Sequence, residues 1–243
     1  MKIACAGGAL AQEIERGGLT QLEFVDLCAR ECVCDGIVFD VRQFPRTDDD
    51  YLAQLKKMAV DWGLSIAAIS DAAFFRAPPE AMLETLRLSV VLGAPLVAAP
   101  LAGETESPWS EQLERLGVAT ALAKQLNVTL ALRNAPGTFA ATTHDCKRVT
   151  KEADSAWLRF GPEPSSFDAA SNAASLAGDS VLLWGRVAES DDAIDETIAA
   201  FADFRGFLTL DDPVGEASAA NVAAAVARWR DGLERARKEL NHR

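Results

Sequence analysis

Short apolar runs recur along the chain at intervals of about 30 residues, the length of one strand-plus-helix unit. Eight of them read as strands, over residues 2–6, 36–41, 64–70, 95–99, 128–133, 156–160, 180–184 and 206–211. The fifth shows the pattern most plainly. Val128, Leu130 and Leu132 alternate with Thr129, Ala131 and Arg133, and the run stops at Asn134 and a Pro136-Gly137 turn. Between the runs the apolar spacing lengthens to that of a helix, as at Phe24, Leu27, Cys28 and Ala29, or Leu52, Leu55, Met58 and Ala59, or Leu113, Leu116, Ala119 and Leu126. A last helix is expected over roughly 217–240, strongly charged beyond Trp229.

Start signals sit where this alternation needs them. Thr20-x-x-Glu23, Thr47-x-x-Asp50, Thr142-x-x-Asp145 and Ser165-x-x-Asp168 read as capping boxes or close relatives. Pro79 and Pro108 suit a first helical turn, while Gly36, Gly63, Gly93 and Gly206 precede or open strands. No Pro-rich or Gly/Ser-rich linker interrupts, so residues 1–243 are expected to form one domain. Eight strands alternating with helices predict an α/β fold, a single (β/α)8 TIM barrel. An open doubly wound sheet is the alternative, because periodicity does not show closure.

Composition narrows the partners. Apolar residues make up 49% of the 243, enough for a sizeable core, and 36 acidic against 24 basic residues leave a formal charge of −12. Such a surface repels phosphate backbones and anionic membranes, and no basic run offsets it. Neither nucleic acid nor membrane is an expected partner, and no apolar run is long enough to span a bilayer. The amino-terminal apolar run is brief and meets Glu13 and Glu15, so it reads as a first strand and the chain as cytoplasmic. Five cysteines, an odd number, argue against a disulfide framework. Cys28, Cys32 and Cys34 lie close together without the paired spacing of a zinc site. Cys28 and Cys32, four apart, read instead as one buried helix face.

Four segments then suggest a family: Asp35-Gly36-Ile37, Gly63-Leu64-Ser65-Ile66-Ala67-Ala68, Leu92-Gly93-Ala94-Pro95 and Asn127-Val128-Thr129-Leu130-Ala131-Leu132. In their order and spacing they resemble the xylose isomerase-like barrel superfamily, which includes sugar and sugar-phosphate isomerases and epimerases and endonuclease IV. The resemblance implies a divalent metal at the barrel mouth, held by Glu after strand five, Asp after strand six, His after strand seven and Glu after strand eight. Here those positions fall on Arg133, near Gly161, within Leu183-Trp184-Gly185, and on Asp211. The strand-two Glu common in the family falls on Val38. Only Asp211 keeps a ligating side chain, and Arg133 puts a fixed positive charge where the ion would sit. No metal and no cofactor are expected. A rebuilt site from Asp211, Asp212 and Glu163 lacks enough converging ligands. An endonuclease would need several metals and a basic face, and the sequence supplies neither.

In place of the metal, period-two reading brings charges to one mouth. Asp40 and Arg42 share a face at the end of strand two, Arg133 points inward from strand five, Trp157 and Arg159 from strand six, and Asp211 from strand eight. Arg186 lies just beyond strand seven and Asn134 just after strand five. Two readings stay open. The arginines form a cradle for a phosphate or carboxylate, or Arg133 and Arg159 pair with Asp211 and Asp40 as a structural plug. The corresponding functions are a metal-independent sugar or sugar-phosphate isomerase or epimerase, and a non-catalytic barrel that binds a small anion or a partner protein. In the first, Asp211 is the base and Arg133 the polarising group, while Asp40, Arg42, Asn134, Arg159 and Arg186 hold a small polar, anionic sugar, sugar acid or sugar phosphate. His144, in a first helical turn near the expected ligand face, is read as exposed, and His242 as inert in a charged tail.

Overall fold

A computed structural model describes residues 1–103 and 105–241. Eight parallel strands alternate with helices: β1 (Lys2–Ala6), β2 (Gly36–Asp40), β3 (Ser65–Ser70), β4 (Leu96–Pro100), β5 (Thr129–Arg133), β6 (Leu158–Phe160), β7 (Leu182–Arg186) and β8 (Phe207–Asp211). The helices are α1 (Ala11–Glu15), α2 (Gln21–Arg30), α3 (Asp49–Asp61), α4 (Pro79–Leu92), α5 (Trp109–Leu126), α6 (Thr143–Ala153), α7 (Ala170–Ala173), α8 (Asp191–Ala200) and α9 (Ala219–Asn241). Ladders join the strands in the order β6-β5-β4-β3-β2-β1-β8-β7. The remaining gap is spanned by Val181 N–H donating to Phe160 O (2.8 Å) and Trp184 N–H donating to Pro162 O (2.9 Å). The sheet is therefore a nearly closed (β/α)8 barrel, not an open doubly wound sheet.

Helix boundaries follow local chemistry. Thr20 with Glu23 and Thr142 with Asp145 form complete capping boxes at α2 and α6. Asp48, not Thr47, caps α3 by accepting from Tyr51 N–H, and the Ser165-x-x-Asp168 segment makes a short 3-10 turn over Pro164–Ser166 instead of a cap. Strand seven runs two residues further than its apolar pattern suggests, so Arg186 is its last residue. Strand six starts two residues later, which leaves Trp157 in the preceding connection, packed against the outer core.

Two apolar layers result. The large one lies between sheet and helices. The small one fills the barrel and is made of Ala4, Ala6, Val38, Ala67, Ala68, Ala98 and Ala131 with Leu96, Leu182 and one bulky residue, Trp184. Room for that indole comes from Gly161, where a Cβ would stand 3.2 Å from the Ala131 methyl and 3.5 Å from Trp184 Nε1. Among the described residues no helix is long and apolar enough to cross a membrane.

Candidate functional site

Each strand delivers its last inward residue to the carboxyl end of the barrel, where barrels of this kind carry their chemistry. Arg133 ends β5 and points inward, two residues above Ala131. Its Nη1 donates to Asp211 Oδ2 and its Nη2 to Glu163 Oε2, both at 2.7 Å. The guanidinium carbon lies 4.0 Å from the centre of the Trp184 ring. Arg186 Nε donates to the other Glu163 oxygen at 2.7 Å and its Nη2 to Ser166 Oγ at 3.2 Å. The two guanidiniums balance the two carboxylates: Arg133, Glu163 and Asp211 are largely buried, and Arg186 closes the network from the solvent side.

Glu163 is the hub of this network, and its backbone is held as firmly as its side chain. Its N–H donates to Asn134 Oδ1 at 2.7 Å, and Asn134 Nδ2 donates back to its carbonyl at 3.4 Å. Burial pushes the Glu163 carboxyl upward, but the charge of Arg133 and the hydrogen bonds from Arg133 and Arg186 outweigh it and hold the acid below the usual carboxylate range. For Arg133 burial works against the cation, and Asp211 and Glu163 overcome it and raise the pKa further.

Beside the network a cavity of about 420 Å³ opens, walled by Arg133, Asp211 and Asp212 on one side and by Glu15, Asp40, Arg42 and Ser70 on the other. Gly8 lets the chain approach here, because a Cβ would stand 2.6 Å from Asp211 Oδ1. Arg42 folds back on Asp40, with Nε donating to Oδ1 at 3.0 Å and Nη2 to Oδ2 at 2.8 Å. That hydrogen bond to Asp40 raises the Arg42 pKa. Asp212 does not face the cavity as a free acid. Its carboxylate accepts from the N–H groups of Val214, Glu216 and Ala217 and so shapes the loop after β8.

The expected pairings need correction. Asp211 does pair with Arg133, but Arg133's second partner is Glu163, and Asp40 pairs with Arg42. Arg159 does not join them. It sits opposite Ala131 in the β5–β6 ladder, one inward layer below Arg133. Its guanidinium donates to the Leu158 carbonyl at 3.4 Å and lines a groove with Lys147, Lys151, Asp154 and Asp179, at the end where β6 begins. Asn134 and Arg186 lie against Glu163 and do not line the cavity. His144 is exposed on α6, and His242 lies outside the described residues. Sequence reasoning missed Trp184 as the platform under Arg133 and weighed Glu163 only as a metal ligand. One signal marked both residues: each lies in a segment where the resemblance calls for a ligand.

The donor set does not suit a divalent ion. The oxygens that would face one, Asp211 Oδ2 and Glu163 Oε1 and Oε2, already accept from guanidiniums, and Arg133 stands between the two acids. Among the described residues no three His, Cys, Asp or Glu side chains are placed to share a metal.

No protein-family model matches the chain, and no curated protein matches it. Solved structures do. D-psicose 3-epimerase from Clostridium cellulolyticum H10, solved with D-tagatose, superposes with a TM-score of 0.76 at 14% identity, over 95% of this chain and 97% of that one. 3-keto-D-glucoside 4-epimerase from E. coli gives 0.74 at 13%, over 95% and 99%. A xylose isomerase domain protein from Planctomyces limnophilus gives 0.70 at 10%, over 87% and 91%. The chain has the xylose isomerase-like barrel fold.

Proposed function

We propose that this protein is a metal-independent isomerase- or epimerase-like enzyme of carbohydrate metabolism, acting on a small polar sugar at the carboxyl mouth of the barrel. One observation carries the reading: a guanidinium, Arg133, held at 2.7 Å from both Glu163 and Asp211, occupies the place the fold family gives to a cation's ligand. A fixed positive charge there does part of what an ion does, drawing electron density from a substrate carbonyl. Asp211 borders the same cavity and is the base that takes a proton from the carbon next to that carbonyl. Asp40 and Arg42, across the cavity, hold substrate hydroxyls. Asn134 and Arg186 position Glu163, and Arg159 takes no part.

The cavity wall carries four carboxylates, Glu15, Asp40, Asp211 and Asp212, against two guanidiniums, Arg42 and Arg133. That balance moves the expected ligand from a phosphate or sugar acid toward an uncharged ketose or aldose. Similarity of fold to epimerases that take such sugars supports the class and does not fix the substrate. Five free thiols and the acidic composition support a cytoplasmic setting.

The alternative, a non-catalytic binder, draws on one fact: both terminal nitrogens of Arg133 are already engaged. Deuterium exchange separates the two. Metal-stripped protein is incubated in D2O with a panel of ketoses and keto-sugars, and label at the carbon beside the carbonyl is followed by NMR. Exchange is expected with chelator present, and Asp211→Asn should slow it by about 100-fold or more. Exchange that needs added manganese or magnesium, or that survives in Asp211→Asn, overturns the mechanism. A ligand-induced rise in Tm without exchange across the panel establishes the binder.

A further inference from the structure

Away from the mouth, four of the five cysteines gather where α2 returns to the sheet. Cys5 on β1 and Cys28 on α2 are fully buried, Cys32 is buried just past the helix end, and Cys34 is half-buried. Cys34 N–H donates to the Cys28 carbonyl at 2.8 Å. That contact, added to the bond lengths on either side, keeps the two Cα atoms inside the roughly 4.4–6.8 Å that a disulfide spans. Between Cys32 and Cys34 the chain passes through Val33 at φ 54°, a left-handed conformation that costs a β-branched residue energy. Arg230 of α9 holds this strained corner, donating to the Val33 carbonyl and, at 3.4 Å, to Asp35 Oδ2.

Charge and hydrogen bonding set the thiols apart. The neighbouring Cys28 and Cys32 thiols, with the charge of Arg230, favour the Cys34 thiolate and lower its pKa to about 5. Burial pushes Cys28 well up, and the hydrogen bond to Cys34 pushes Cys32 up as well. The half-buried Cys34 sulfur is thus the one of the group that favours the thiolate, with the protonated Cys28 beside it. A nucleophilic, accessible thiolate beside a resolving thiol is the arrangement that peroxide-sensitive sites share.

We propose that Cys34 is a hydroperoxide-sensitive modification site that closes a disulfide with Cys28, tying the end of α2 to the start of β2. The Cys34 thiolate attacks one peroxide oxygen, the O–O bond breaks, and hydroxide leaves and is protonated to water, giving a sulfenic acid. The Cys28 sulfur then attacks Cys34, the S–O bond breaks, and the hydroxyl departs as water with the Cys28 proton. The two cysteines together lose two electrons and the peroxide gains them.

Trypsin reads the outcome directly, because Arg16, Arg30 and Arg42 place Cys28 in one peptide, residues 17–30, and Cys32 with Cys34 in the next, 31–42. Reduced native protein treated with stoichiometric hydrogen peroxide should lose the mass of two hydrogens and yield these two peptides cross-linked. Cys32→Ala should keep the link and Cys34→Ser should abolish it. On untreated protein below neutral pH, iodoacetamide should label Cys34 about tenfold faster than Cys146, whose buried thiol is pushed up to about 12. No cross-linked pair, a link that survives in Cys34→Ser, or equal labelling of Cys34 and Cys146 overturns the proposal.

Discussion

The two walls of the mouth are built on different principles. On the β5–β8 side, Arg133 reaches partners 30 and 78 residues away in sequence, and Arg186 reaches one 23 residues away. Arg133 and Glu163 meet once β5 and β6 pair, whereas Arg133 meets Asp211 only when the barrel is nearly closed. On the β2 side, Asp40 and Arg42 are two residues apart, and the carboxylate accepts from both the backbone and the side chain of Arg42 in one local turn. Exposure differs accordingly: 18% for the Arg133 side chain and 62% for that of Arg42. A buried charge linked to distant strands is part of the fold's stability. A solvated charge on a local turn costs the fold little to lose and is available to a ligand.

The strongest way to break this contrast is Arg133→Met. The substitution keeps some bulk over Trp184 but leaves Asp211 and Glu163 without their shared cation. Removing one partner of a buried ion network typically costs about 3–5 kcal/mol. For a chain of this length that is a fall in Tm of roughly 6–20 °C, read by thermal denaturation. A Tm lowered by no more than about 2 °C would show that the β5–β8 wall is as loosely held as the β2 wall.

What the sequence made legible follows the same divide. The inward direction of Arg133 and Asp211 comes from period-two alternation, and the fold class from the strand-and-helix repeat; both are local information. Glu163 as hub is not local: it lies three residues beyond β6, past Pro162, where no alternation tells direction. Arg159 fails for a related reason. Parity puts it on the inward face, as its register with Ala131 confirms, but parity does not say how high along the barrel a residue stands. A strand of only three residues ends too early to carry Arg159 to the mouth. The β7 boundary shows how a polar end hides a strand, since the apolar pattern stops at Trp184 while the ladder continues to pair Arg186 with Asp211.

Glu163→Gln sharpens the comparison on the same wall with a smaller effect. Arg133 keeps Asp211, while Arg186 loses its charged partner, so the expected cost at neutral pH is about 1.5–3 kcal/mol. The pH dependence tests the cause. Guanidinium partners hold the Glu163 acid below its usual range, so its unfolded form takes up a proton first as the medium is acidified. Its contribution is complete above about pH 5 and is lost as pH falls through the ordinary glutamate value near ~4.3 toward the lower folded one. The gap in stability between wild type and Glu163→Gln should therefore be widest near neutrality and shrink below about pH 4.5. A gap that stays constant in urea titrations from neutral to acid would mean that packing, not charge, is what Glu163 supplies.

Arg42→Ala carries the smallest expected effect on the fold and the most pointed one on the site. The guanidinium is exposed, but the Asp40 carboxylate it covers is buried and keeps only the backbone N–H of residue 42 once the side chain is gone, so the expected cost is about 1 kcal/mol and a fall in Tm of about 2–4 °C. The same change removes a donor from the cavity wall and leaves Asp40 facing whatever binds there. If that wall serves the ligand, the best sugar from the exchange panel should bind about tenfold more weakly, a loss of 1.4 kcal/mol that stability does not share. Glu163→Gln should show the reverse order, with a large change in stability and, at neutral pH, a small one in affinity. Should Arg42→Ala cost several kcal/mol in stability and leave ligand affinity unchanged, the two walls would have exchanged roles, and binding would have to be assigned to the buried network instead.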